Sequence, residues 1–216
     1  MQEFIRFFKN PNSTKRVKGV TSFFFYSLFF LIFYVCISFL IGALFKSLNF
    51  LFIIKQPVSL KITTLSLFRI MIITPILEEF LFRSFLYPQK KHISFFIFSL
   101  TFFLLNYFFF DYFLIKILLS FIFCFLFQLS SFQINYNWYS KNNRSIVYFS
   151  SIIFGLVHIT NYQLTQTIIY MSPLFFTPKI LSGFSLAFIR IKYGLVYSIL
   201  LHSAYNAIPI LLTFFL

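Results

Sequence analysis

Long uncharged runs, separated by short segments where charge collects, set the pattern of this chain. Val20 to Phe45 is 26 residues without a charge, and Ile93 to Phe110 is a second clean run. Tyr112 to Phe132 is broken only by Lys116, and Tyr193 to Leu216 is uncharged apart from His202. Ile62 to Tyr87 reads as a further run interrupted by Arg69, Glu78, Glu79 and Arg83. Ser145 to Ile189 is long enough for two, expected near 145–160 and 170–189, with the turn around Asn161 to Gln166 and Lys179 as the one fixed charge. Apolar runs of this length mark membrane-spanning helices, because in lipid only a helix satisfies its own backbone polar groups. The pattern predicts an all-α fold: a polytopic membrane helical bundle of about seven transmembrane helices, six to eight allowed. A basic segment, 1–19, precedes one helical domain, 20–216.

Composition agrees. Of 216 residues, 60% are hydrophobic and 10% charged, too few charges to coat a soluble domain of this size. Lys and Arg total 18 against four acids, Glu3, Glu78, Glu79 and Asp111. A net charge of +14 could suggest a nucleic-acid partner, but such an apolar chain excludes it; the partner is the lipid bilayer.

Basic residues near span ends set orientation. Arg6, Lys9, Lys15, Arg16 and Lys18 precede the first span. Lys90 and Lys91 follow the second, Lys141 and Arg144 the fourth, and Arg190 and Lys192 the sixth. Seven spans put these four segments on one side, read as cytoplasmic, with the N-terminus inside. Lys46, Lys55 and Lys61 in the first loop disagree and are outweighed. Tyr136, Trp138 and Tyr139 fit an interfacial aromatic belt at the end of span four. No cleaved signal peptide is expected, because the first apolar run is too long. Cys36 and Cys124 lie mid-span in different helices and read as small apolar fillers, not as a disulfide or a metal site.

Half of the acids sit side by side inside a span. A charged side chain at the bilayer centre costs about 2.5–3.5 kcal/mol on insertion scales, so such groups normally mark function. Two adjacent carboxyls do not both ionise cheaply. Arg83 is one helical turn beyond Glu79, which predicts a Glu79–Arg83 pair and leaves Glu78, rotated by about 100°, free for chemistry. A Glu–Arg pair that merely locks two helices leaves one acid unexplained. His158 and His202 are also intramembrane, and His202 shares a helix face with Asn206. Either histidine alone would be an ordinary interhelical hydrogen-bond donor. His92, in a basic run at a membrane edge, reads as solvated. Counted at about 1.5 Å per residue from the cytoplasmic side, Glu78 lies at roughly 14–18 Å, His158 at roughly 20 Å and His202 at roughly 12–15 Å. Three helices thus bring their strongest polar groups to one depth.

These residues form three ordered motifs: Glu78-Glu79-Phe80-Leu81-Phe82-Arg83, Phe154 to His158, and His202 to Asn206. Their order and spacing resemble the CPBP family of intramembrane glutamic endopeptidases, which includes type II CAAX prenyl endopeptidases and the bacteriocin-processing and bacteriocin-immunity (Abi) proteins. The resemblance covers about residues 65–212, and Ser84 departs from the glycine common after the motif arginine. It implies an endopeptidase in which Glu78 is the general base, assisted by His158. His202 and Asn206 would orient the water and stabilise the oxyanion, while Glu79 and Arg83 hold the helix and tune Glu78. The implied substrate is a peptide precursor or membrane-protein tail, and the implied setting is a bacterial plasma membrane with the site opening to the cytoplasm. Zinc held by Glu78, His158 and His202 is possible on donor type. It is disfavoured, because it would leave Glu79 to serve as both base and arginine partner; no cofactor is expected. Two other readings use the same groups: a non-catalytic immunity or peptide-binding module, and a small proton-coupled transporter.

Overall fold

The computed structural model describes residues 2–11, 14, 16–17, 19–47, 64–108, 113–131, 133, 135–158 and 166–215. Every regular element among them is helical. The order is α1 (Gln2–Lys9), α2 (Val20–Ser47), α3 (Thr64–Phe68), a π-helical turn (Arg69–Ile73), α4 (Thr74–Arg83), a 3-10 turn (Ser84–Leu86), α5 (Lys90–Phe108), α6 (Phe113–Leu129), α7 (Tyr136–Val157), α8 (Gln166–Lys192) and α9 (Leu195–Phe215). Two helical stretches among the described residues are long and apolar enough to cross a membrane, Val20–Leu44 and Ile169–Lys192. The first is apolar all round and turns large side chains such as Phe24, Phe25, Phe39 and Leu40 outward. A helix hydrophobic on every face is stable only when apolar surroundings cover it.

The helix ends differ from those the apolar runs predict. α7 starts at Tyr136, so Tyr136, Trp138, Tyr139, Lys141 and Arg144 occupy its first turns instead of closing span four and forming a loop. The cause is local: the Asn135 side chain accepts the Trp138 N–H at 2.9 Å and caps the helix before the apolar run begins. α8 likewise exceeds 170–189 at both ends, and Arg190 and Lys192 are buried in its last turn. Lys55, Lys61, Asp111 and most of the expected turn at 161–165 lie outside the described residues.

α4, α7, α8 and α9 form the centre, with α7 laid along α8. Gly183 permits that approach, because a Cβ there would come within 2.8 Å of the Ser151 carbonyl. At Gly194, φ is +118°, a left-handed value that lets α8 turn straight into α9. α5 and α6 pair beside this core, where buried Lys116 donates to Asn106 at 3.0 Å. Polar residues tolerate burial in this way when partnered.

α1 packs into the bundle as well. Phe7 is fully buried, with its ring 5.5 Å from that of Phe188. Glu3 pairs with Lys192 and accepts from the Tyr26 hydroxyl at 2.6 Å. Those hydrogen bonds, the one from Lys192 foremost, hold the Glu3 carboxyl below its usual pKa against the opposing effect of partial burial. The basic segments gather at this end. The Val17 N–H donates to the Lys192 carbonyl at 2.9 Å, Lys90 donates to Ser130, Tyr139 to Leu86, and Tyr148 to Phe8 at 3.2 Å.

Candidate active site

Glu78 and Glu79 leave α4 in different directions and meet different surroundings. Glu79 is wholly buried. Its Oε1 lies 3.7 Å from Arg83 Nε and 3.0 Å from His202 Nδ1, and its Oε2 accepts from the Ser198 hydroxyl. A carboxylate enclosed by one cation and two donors is fully engaged. The expected Glu79–Arg83 pair is present, one helical turn apart.

Glu78 turns the other way, and its side chain keeps 18% exposure. Its Oε2 lies 3.4 Å from His202 Nε2 and 4.0 Å from His158 Nε2, and has no hydrogen-bond partner among the described residues. His158 stands at the C-terminal end of α7, directly after Val157, and not in mid-helix. Its Nδ1 is 2.7 Å from the Phe154 carbonyl. A carbonyl only accepts, so Nδ1 carries the hydrogen, and a neutral ring then turns its Nε2 lone pair toward Glu78. His202 is fixed similarly, with Nδ1–H directed at Glu79 and Nε2 at Glu78. At 3.4 Å the Glu78 Oε2 and His202 Nε2 atoms are within ion-pair distance.

Phe154 joins the pieces. Its ring lies 3.9 Å from the Arg83 guanidinium carbon and 4.8 and 5.4 Å from the rings of His158 and His202. Cation–π contact of this kind lets an aromatic face support a buried arginine. Arg83 also donates to the Gly183 carbonyl at 3.4 Å, and the Arg190 Nε donates to the Arg83 carbonyl at 3.1 Å. Ser84, the departure from the motif, is buried where α4 tightens into the 3-10 turn.

Asn206 is placed by a break in the helix below the glutamates. In the π-helical turn the Thr74 N–H bonds to the Arg69 carbonyl five residues back. The same register would give the Ile70 carbonyl the N–H of residue 75, which is proline and has none. The Asn206 amide fills that vacancy, donating to the Ile70 carbonyl at 3.1 Å. One of its two N–H groups is therefore committed to the backbone.

Six of the seven residues singled out from the sequence (Glu78, Glu79, Arg83, Phe154, His158 and His202) thus lie in one contiguous assembly, and Asn206, one turn beyond His202 on α9, is bonded instead to the Ile70 carbonyl. Sequence reasoning missed Ser198, Gly183 and Arg190. Ser198 carried a signal, since it precedes His202 by one turn on the same face of α9. Gly183 acts through its own carbonyl and Arg190 through the carbonyl of Arg83, and neither left one. As for zinc, no three His, Cys, Asp or Glu side chains among the described residues are arranged to hold a metal ion. Cys36 and Cys124 are free thiols on α2 and α6.

The family model described as type II CAAX prenyl endopeptidase Rce1-like matches residues 60–132 and 130–208, a span that contains all three motifs. No curated protein and no solved structure matches the chain.

Proposed function

Since the chain belongs to the type II CAAX prenyl endopeptidase Rce1-like family, a protease family of the membrane, we propose that it hydrolyses a peptide bond with water activated by Glu78. The observation that carries this reading is the position of Glu78 Oε2 between two imidazole Nε2 atoms, while its neighbour Glu79 is consumed by structure. In this mechanism His202 carries a hydrogen on both ring nitrogens and Glu78 is a carboxylate, its Oε2 4.0 Å from His158 Nε2. A water there donates one hydrogen to Glu78 and the other toward the His158 Nε2 lone pair. Its oxygen attacks the amide carbon as Glu78 takes the proton. The His202 Nε2–H and the remaining Asn206 N–H donate to the oxyanion, a role worth about 2.7–4 kcal/mol per donor in other hydrolases. When the C–N bond breaks, Glu78 returns its proton to the leaving amine. Glu79, Arg83 and Phe154 act as positioning residues that hold the two histidines against Glu78.

The rest of the reading concerns setting and substrate. Seven spans, from α2 to α9 with α3 and α4 as one, put the basic end on the cytoplasmic side by the positive-inside rule. The Phe-rich composition, 39 of 216 residues, suits a bacterial plasma membrane protein from an AT-rich genome. A secreted peptide precursor, a bacteriocin leader or a membrane-protein tail is then the substrate class. No metal enters this mechanism. Comparing the membrane peptidomes of cells producing the wild-type protein and Glu78→Ala at equal levels tests it. Peptides that accumulate uncut in the variant support the reading; identical peptidomes overturn it.

A further inference from the structure

The basic end holds a group of cations of which only Arg190 reaches the candidate site, through its Nε. Arg16, just before α2, and Arg190, in the last turn of α8, both lie over the ring of Tyr87, their guanidinium carbons 5.7 and 5.8 Å from its centroid. His92 meets the same ring edge-on, with centroids 5.6 Å apart, and Lys91 precedes it in α5. The neighbouring charges register on His92, which lies just outside the apolar run: burial first, then Arg190, Lys91 and Arg16, bring its pKa down to about 4.

Two observations point to a missing anion. Arg190 is only 3% exposed, and although its Nε is bonded, its Nη2 is buried with no hydrogen-bond partner among the described residues. His92 Nδ1 is buried and unpartnered in the same sense. Among the described residues no carboxylate forms an ion pair with Arg16, Lys91 or Arg190. Like charges gathered around one ring repel each other unless a counter-charge sits between them, and a buried guanidinium N–H that meets no acceptor is a costly feature to retain.

We propose that Arg16, His92 and Arg190, arranged about Tyr87, together with Lys91 beside His92, form a binding site for a phosphate-class anion, with an anionic phospholipid headgroup as the source that its position favours. A guanidinium presents a planar fork that matches phosphate oxygens. Basic pockets between helices at the membrane face take lipid headgroups by this chemistry. The buried Arg190 supplies the fixed floor, while Arg16 and Lys91 are exposed at the mouth.

The test is native mass spectrometry of the full-length protein titrated with phosphatidylglycerol or phosphatidylcholine, with inorganic phosphate as competitor. The proposal expects phosphatidylglycerol to bind more tightly than phosphatidylcholine. Arg16→Gln should weaken it by about fivefold or more, as removal of one basic contact does, with Lys91→Gln as second variant should Arg16→Gln fail to fold. Lys141→Gln, at the same end but outside the cluster, should leave it unchanged. Displacement by millimolar phosphate supports a site that reads phosphate from either source, and failure of phosphate to compete supports a site that needs the lipid. Equal binding by wild type and the Arg16→Gln or Lys91→Gln protein overturns the proposal. So does an equal loss in Lys141→Gln, which would assign the effect to diffuse surface charge.

Discussion

Glu78 and Glu79 differ by one position and about 100° of helical rotation, and that rotation separates their roles. Glu79 is the anchor to which Arg83, Ser198 and His202 are fastened; Glu78 meets the other ring nitrogen of the same histidine. Ser198 tests the anchor. Ser198→Ala removes a buried hydrogen bond to a charged group, so it should cost about 1.5–3 kcal/mol, read as a lowered thermal midpoint in detergent. It should also lower kcat on any identified substrate, because Glu79, the partner that fixes His202, loses one of its own anchors; unchanged stability would contradict the buried-anchor account. Much of this was legible in the sequence, since a carboxyl pair in a span followed by an arginine at one turn leaves few other arrangements. The tautomers of His158 and His202 were not, because they depend on the Phe154 carbonyl and on Glu79 across a helix interface.

At the scale of elements, the segment from Thr64 to Arg83 is not one uniform helix. Pro75 was visible in the sequence, but its consequence was not: it deprives the π-helical turn of a donor, and α9 supplies the substitute through Asn206. Asn206→Ala should therefore destabilise the protein by about 1–3 kcal/mol through an unsatisfied carbonyl. In a Pro75→Ala background, residue 75 regains its N–H and the cost should shrink. A thermal-denaturation double-mutant cycle on these two positions should show coupling of at least about 0.5 kcal/mol, and strict additivity would contradict it. Helix ends were the less legible feature. α7 gained its first turns from the Asn135 cap and not from apolarity, and α8 carries Arg190 and Lys192 inside its last turn because each finds a partner there. Apolar runs locate spans, but capping and pairing decide where helices stop.

Across the whole molecule, the three described acids divide between two functions, and Asp111 lies outside the described residues. Two build the candidate site, and Glu3 fastens α1 to the end of α8. Because pairing lowers the Glu3 pKa, the stabilisation is present above the unfolded carboxyl value, about 4.3, and is lost as pH falls through the lower folded value. Hydrogen exchange of residues 2–9, corrected for intrinsic rate, should stay slow from neutral pH to about pH 4 and quicken below it. Glu3→Gln should bring fast exchange already at pH 7, and slow exchange in that variant would show that aromatic packing alone holds α1. The central claim, hydrolysis by Glu78-activated water, is tested most directly by isotope incorporation. The purified full-length protein, reconstituted in liposomes, is incubated in ¹⁸O-water with the peptide fraction of its own membranes, and new C-termini are read by mass spectrometry. The account predicts products carrying one ¹⁸O at the new carboxylate with the wild-type protein and none with Glu78→Gln; labelled products at the same rate from Glu78→Gln would contradict it.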